Sequence, residues 1–177
     1  GWILGVDVTN NIYIYNDSFF LQSGGNAVPE GQWYHVCYER SGGTHTLYVN
    51  GRYQTHSTSS RNYTVDNCVI GANYAKNGEY WNGWISNVRI VKGSAVYAKG
   101  SATSLTSFPV PTQPLTAVNN TKLLCCQSKE SPIAAAVSPG AITKNGHSWA
   151  VGFIPFDNDI NIIRGQESNY AVFSEAD

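Results

Sequence analysis

The stretch from Gly71 to Tyr97, GANYAKNGEYWNGWISNVRIVKGSAVY, constrains the fold more than any other part of the chain. Glycines and asparagines mark tight reversals, and Trp84, Val88 and Ile90 then recur on one parity of an extended run. That spacing predicts a strand over 84–91 with one face in a core and the other in solvent. The same pattern occurs upstream, where Trp33-Tyr34-His35-Val36-Cys37-Tyr38 leads through Ser41-Gly42-Gly43 into Thr46-Leu47-Tyr48-Val49-Asn50-Gly51. Consecutive glycines tolerate positive φ, so a hairpin is the economical expectation there. Both stretches point to an all-β chain, a two-layer antiparallel β-sandwich.

The remaining segments fit that class. Trp2-Ile3-Leu4-Gly5-Val6, Ile12-Tyr13-Ile14-Tyr15 and Ser18-Phe19-Phe20-Leu21 are separated by Asn10-Asn11 and Asn16-Asp17, residues that favour turns. Residues 22–31 predict a loop, 32–40 and 45–54 strands, and 55–64 either a loop or an edge strand. Cys68-Val69-Ile70-Gly71 predicts a short buried strand and 72–83 an exposed connection. Pro109, Pro111 and Pro114 deny a sheet its donors, so 98–116 is expected to run as an extended surface strap. Thr121–Gln127 returns to the sheet, and Asn145-Gly146 suggests a hairpin leading into a strand over 147–153. Ser131–Val137 is the one helix candidate, and it is too short to be stable alone. Beyond Pro155 the chain turns polar, and 156–177 is expected to be a linker or the start of a following domain.

Composition narrows the function. There are 11 basic and 12 acidic residues, with no lysine or arginine run, which argues against nucleic acid. No apolar stretch approaches the roughly 18 residues that a membrane helix needs, so membrane insertion is not expected. Eleven tyrosines and five tryptophans suit both pleated sheets and faces that stack on sugars or proteins. No methionine precedes Gly1, and a piece of a longer polypeptide is expected.

Cys37, Cys68, Cys125 and Cys126 contain no CxxC half-site for zinc. A Cys37–Cys68 disulfide requires their strands to be neighbours, and Cys125 and Cys126 should face opposite ways if both lie in a strand. A sandwich hydrolase would want two acids flanking the scissile bond. Glu30, Glu39, Glu79 and Glu130 instead fall near loops or strand ends and are expected to be solvated. No nucleophile elbow or phosphate loop occurs. His35 shares the parity of Trp33 and Cys37 and is expected to be a hydrogen-bonded sheet histidine. For calcium, loop carboxylates are the natural ligands, and Asp7, Asp17, Asp66 and Glu79 are weak candidates.

The best functional signal is the aromatic loop. Tyr74, Tyr80 and Trp81 lie among Asn73, Asn77 and Asn82. A ring can cover the apolar face of a pyranose while amides bond its hydroxyls. The plainer alternative is that Tyr80 or Trp81 folds back to cap the sandwich.

Gly31–Val36 (GQWYHV), Leu47–Gly51 (LYVNG) and Trp81–Ile90 (WNGWISNVRI) together resemble the concanavalin A-like lectin/glucanase superfamily, and within it laminin-G-like jelly rolls. Pro114-Leu115-Thr116, with Asn120–Gln127 (NTKLLCCQ), resembles the form found in tail-fibre and other virion proteins of marine phages, cyanophages especially. The resemblance covers about residues 1–155. It implies a domain lacking its usual first strand, and a non-catalytic module of the virion surface that binds host-surface polysaccharide. The partners it implies are other virion proteins and further copies of the chain. A purely architectural virion domain is the alternative, and a glycan hydrolase, with its acidic strand missing, a distant third.

Overall fold

Three tight reversals organise the first half of the chain. Asp7 folds its carboxylate back on the Thr9 and Asn11 amides, at 2.8 and 3.0 Å. Asn10 takes a positive φ of 59°, and β1 (Ile3–Val6) thereby turns into β2 (Ile12–Asn16). Gly42 and Gly43, with φ of 55° and 86°, join β4 (Val36–Ser41) to β5 (Thr44–Val49). Asn50 and Gly51, with φ of 49° and 69°, join β5 to β6 (Arg52–Thr58). Both are two-residue turns with two positive-φ positions, whose twist matches that of paired strands. The computed structural model describes residues 2–16, 19–60, 68–97, 107–152 and 155–156. Among these residues there are strands and no helix.

Among the described residues, nine antiparallel strands form three sheets of three. The first is β1–β2–β3, with β3 at Phe19–Gln22, and the second is β4–β5–β6. The third joins β7 (Val88–Val91), β8 (Thr121–Cys125) and β9 (Ala135–Val137). This all-β, antiparallel architecture is the expected class and is consistent with a concanavalin A-like β-sandwich.

The core forms where the first sheet meets the second. Ile12, Ile14 and Leu21 pack with Leu47 and Val49, and Trp2, Val6, Tyr34, Val36 and Tyr38 close around them. His45 is on the same face of β5 and fully buried, its Nδ1 2.6 Å from the Tyr38 hydroxyl and its Nε2 3.2 Å from the Ser59 carbonyl. Burial lowers the His45 pKa, which favours the neutral ring. The other face of the second sheet is covered too. Tyr48 meets the ring of Phe108 at 5.2 Å, and Phe108 stacks on Tyr97 at 4.2 Å. Phe108 also donates its N–H to the Gly51 carbonyl at 2.9 Å. The segment around the prolines is therefore a strap across this sheet, as its composition predicts. Its residues 98–106 lie outside the described residues.

Several sequence expectations are corrected. The 45–54 strand breaks at Asn50-Gly51, and 52–58 becomes β6, which decides the loop-or-edge alternative for its described part. Cys68–Gly71 is not a strand, because no described strand pairs with it, and Cys68 is exposed. Residues 147–152 form no strand after Asn145-Gly146; Trp149 there is 71% exposed. The short helix candidate contains β9 instead. All four cysteines are free, so Cys37 and Cys68 are not joined. His35 lies just before β4, and its buried Nδ1 has no hydrogen-bond partner. Its ring meets Tyr97 and Phe108 edge-on, at 5.7 and 5.8 Å, which is apolar packing. The 156–177 segment falls, apart from Phe156, outside the described residues.

Candidate functional site

The aromatic loop is a small structure held by its own backbone. Two cross-loop bonds close it, Trp81 N–H to the Gly71 carbonyl at 2.9 Å and Asn73 N–H to the Gly78 carbonyl at 3.1 Å. Asn73 organises the tip. Its Oδ1 accepts the Asn77 N–H at 3.1 Å, and its Nδ2 donates to the Asn77 Oδ1 at 3.0 Å. Lys76 and Glu79 both take positive φ, which turns the chain twice within a few residues.

This scaffold holds its rings outward. Tyr74, Tyr80 and Trp81 are 66, 68 and 46% exposed. Tyr80 is steadied by its hydroxyl, which donates to the Lys76 carbonyl at 3.2 Å. Tyr74 and Tyr80 are therefore mostly in solvent, while Trp81 is about half covered. Asn82 is exposed at the foot of the loop. Asn73 and Asn77 spend one donor and one acceptor on each other's side chains, and a carboxamide has capacity for more.

Trp84 is also exposed, against expectation. It lies outside β7 and is 55% exposed. The reason is Asn87, whose φ of 56° turns the chain between Trp84 and Val88 and cancels the parity that linked them. Asn87 is held there by its own N–H, which donates to the Cys126 carbonyl at 2.9 Å, and by its Oδ1, which accepts from Leu115 N–H and Gln127 Nε2.

A second set of rings lies on the outer face of the first sheet. Ile14 points into the core, so Tyr13 and Tyr15 on the opposite parity point away from it, and Phe20 pairs with Tyr15. Tyr13 and Phe20 stack at 6.0 Å, and Phe20 is 56% exposed. Gly5 makes room, since a Cβ there would meet the Tyr13 ring at 2.7 Å. Burial raises the Tyr13 pKa, and the charges of Glu79 and Asp7 raise it further. The Ile-Tyr-Ile-Tyr alternation of β2 carries the sequence signal for these rings.

The acids have other tasks. Asp7 accepts from Thr9 N–H and Oγ1–H, from Asn11 N–H and Nδ2–H, and from Gln22 Nε2. The Asn11 backbone bond leads the causes that lower its pKa to about 2. Glu79 stands exposed on the aromatic loop, while Asp17 and Asp66 lie outside the described residues. Among the described residues, no three His, Cys, Asp or Glu side chains gather as a metal ion would require. Glu39 is the one acid on any of the nine strands and, contrary to expectation, is buried. Its Oε1 accepts the Val96 and Tyr97 N–H groups, both at 2.7 Å, which pins the chain after β7 to β4.

No curated protein and no solved structure matches this sequence. A family model does, across residues 1–96, a span that contains the first two sheets, the aromatic loop and β7. That is more than half of the chain, and it belongs to the concanavalin A-like lectin/glucanases superfamily.

Proposed function

We propose that this domain is a non-catalytic carbohydrate-binding module, and that Tyr74, Tyr80, Trp81 and Trp84 are its contact surface. The observation that carries the proposal is a hydrogen-bonded loop holding large rings in solvent, where burial gains nothing for the fold. Such rings lose little conformational freedom on stacking against a sugar, and Asn73, Asn77 and Asn82 add amides for its hydroxyls. Glu39, the only strand acid among the described residues, has its carboxylate committed to two backbone donors, which favours binding over hydrolysis. The resemblance of 114–127 to virion proteins of marine phages extends the proposal. The module sits on a virion surface, in a tail fibre or appendage, among other virion proteins and in several copies. Weak individual sites then gain avidity for host-surface polysaccharide.

An architectural role is the second reading, favoured by the exposed Phe20 and Tyr15 on the outer face of the first sheet, which subunit packing would cover. A glycan array separates the two. Carbohydrate binding predicts wild-type signal that the Tyr74→Ala/Trp81→Ala double variant loses, with the melting temperature little changed. Absence of any signal from a multivalent display, or equal signal from the folded double variant, overturns the site.

A further inference from the structure

Cys125 and Cys126 do not behave as neighbours in a strand. Cys125 ends β8 and is buried, at 2% exposure. Cys126 follows it with a φ of 59°. Adjacent strand residues face opposite sides of a sheet, but this left-handed residue brings both thiols to one side, with their Sγ atoms 3.6 Å apart. Left-handed backbone at a non-glycine residue costs about 1–2 kcal/mol, so something must hold it. The Cys126 carbonyl accepts from Asn87 N–H at 2.9 Å and from Ser86 Oγ–H at 3.4 Å. Gln127 is anchored in turn by Nε2, which donates to the Leu115 carbonyl and to Asn87 Oδ1.

We propose that Cys125-Cys126 is a dithiol site that reacts with small disulfides and closes to a vicinal disulfide. Cys126 is the accessible partner, half-buried where Cys125 is buried. The two sulfurs are within hydrogen-bond reach, and a Cys125 S–H shared with the Cys126 sulfur lowers the Cys126 pKa and raises that of Cys125. The chemistry is two exchanges. The Cys126 thiolate attacks a small disulfide such as oxidised glutathione, forming a mixed disulfide and releasing one thiolate. Cys125 then loses its proton and attacks the Cys126 sulfur, forming the Cys125–Cys126 bond and expelling the second thiolate. Two protein thiols are oxidised, one disulfide is reduced to two thiols, and nothing else is consumed. Consecutive Cα atoms sit about 3.8 Å apart, closer than the usual disulfide span of about 4.4–6.8 Å. The ring is therefore strained and reopens readily under thiol.

Cys68 is the competitor, since the Cys126 sulfur is near enough to raise its pKa. Trypsin separates the outcomes, because Lys122 and Lys129 bracket both members of the pair in one peptide, Leu123–Lys129, while Cys68 lies in another. Folded protein is treated with oxidised glutathione, quenched with a maleimide and mapped by mass spectrometry. The expected result is loss of two of the four thiols, with Leu123–Lys129 lighter by two hydrogens and joined to nothing. Cys68→Ser should close in the same way, and Cys125→Ser should stall with glutathione on Cys126. A peptide cross-linked through Cys68, stable glutathione on wild-type Cys126, or an unreactive pair in both wild type and Cys68→Ser would each overturn the proposal.

Discussion

Asp7 shapes the first turn by accepting from donors on three residues, and its ionisation is tied to folding. Its folded pKa of about 2 lies below the ordinary value of 3.8. The folded state therefore binds fewer protons than the unfolded chain between those values. Its stabilising contribution is complete above the ordinary value and is lost as pH falls through the folded one. Melts run from about pH 5 to about pH 2 should show the Asp7→Asn variant less stable than wild type at the upper end, with the gap closing toward the lower. A gap that stays constant with pH contradicts this role. Trp84 makes the opposite point, a large ring that the core does not use. Leu47, with no exposure, should cost about 2–5 kcal/mol when truncated to alanine. Trp84→Ala, by contrast, should stay within about 1 kcal/mol of wild type, read by urea unfolding. Comparable losses would return Trp84 to the core. Side-chain parity carried the sequence argument only where no left-handed residue intervened. Asn87 and Cys126 each interrupt it; an asparagine is only a permissive hint of positive φ, and a cysteine gives none, since it rarely adopts positive φ.

The elements that were legible in sequence have a turn signal at each end. β1, β2 and β3 stand between asparagine-rich breaks, and the Gly42-Gly43 hairpin is where paired glycines put it. Asn50-Gly51 is an equally strong hairpin signal. Arg52-Tyr53 masks it by continuing an apparent strand, and the polar β6 that follows has little apolar alternation to mark it. β9, three residues with two alanines, is set by its pairing with β8 rather than by its own preference. The two hairpin turns differ in a way that tests the strap. A Cβ on Gly42 would meet nothing within 4 Å, whereas one on Gly51 would run into the Phe108 carbonyl oxygen. Gly42→Ala should therefore cost only the backbone penalty, about 1–2 kcal/mol. Gly51→Ala should cost clearly more, and it should also open the strap to proteolysis near Phe108. Equal costs, with the strap still protected, would contradict the contact between the strap and the β5–β6 turn.

Across the whole molecule, the second sheet is the organising layer. The first sheet covers one of its faces, and Tyr97, Phe108 and the Glu39 contacts cover the other. With both faces of β5 enclosed, the rings left in solvent among the described residues are concentrated on the 71–84 loop, on the outer face of the first sheet and at Trp149. Trp149 is already engaged, with Lys144 Nζ 4.2 Å from its ring centre and His147 stacked nearby. The loop remains the surface proposed for a sugar. The sequence exposed the loop's rings and amides, but not their neighbour Trp84 or the Tyr13–Phe20 face, whose positions depend on long-range pairing. The most direct test is an amide and indole NMR titration with an oligosaccharide identified on the array, using the five indole N–H signals as reporters. Binding at the proposed site predicts shifts at the Trp81 and Trp84 indoles and at the Asn73 and Asn77 amides, with Leu47 and His45 unmoved. Shifts centred on Trp149, or on Tyr15 and Phe20 with the loop silent, would contradict it.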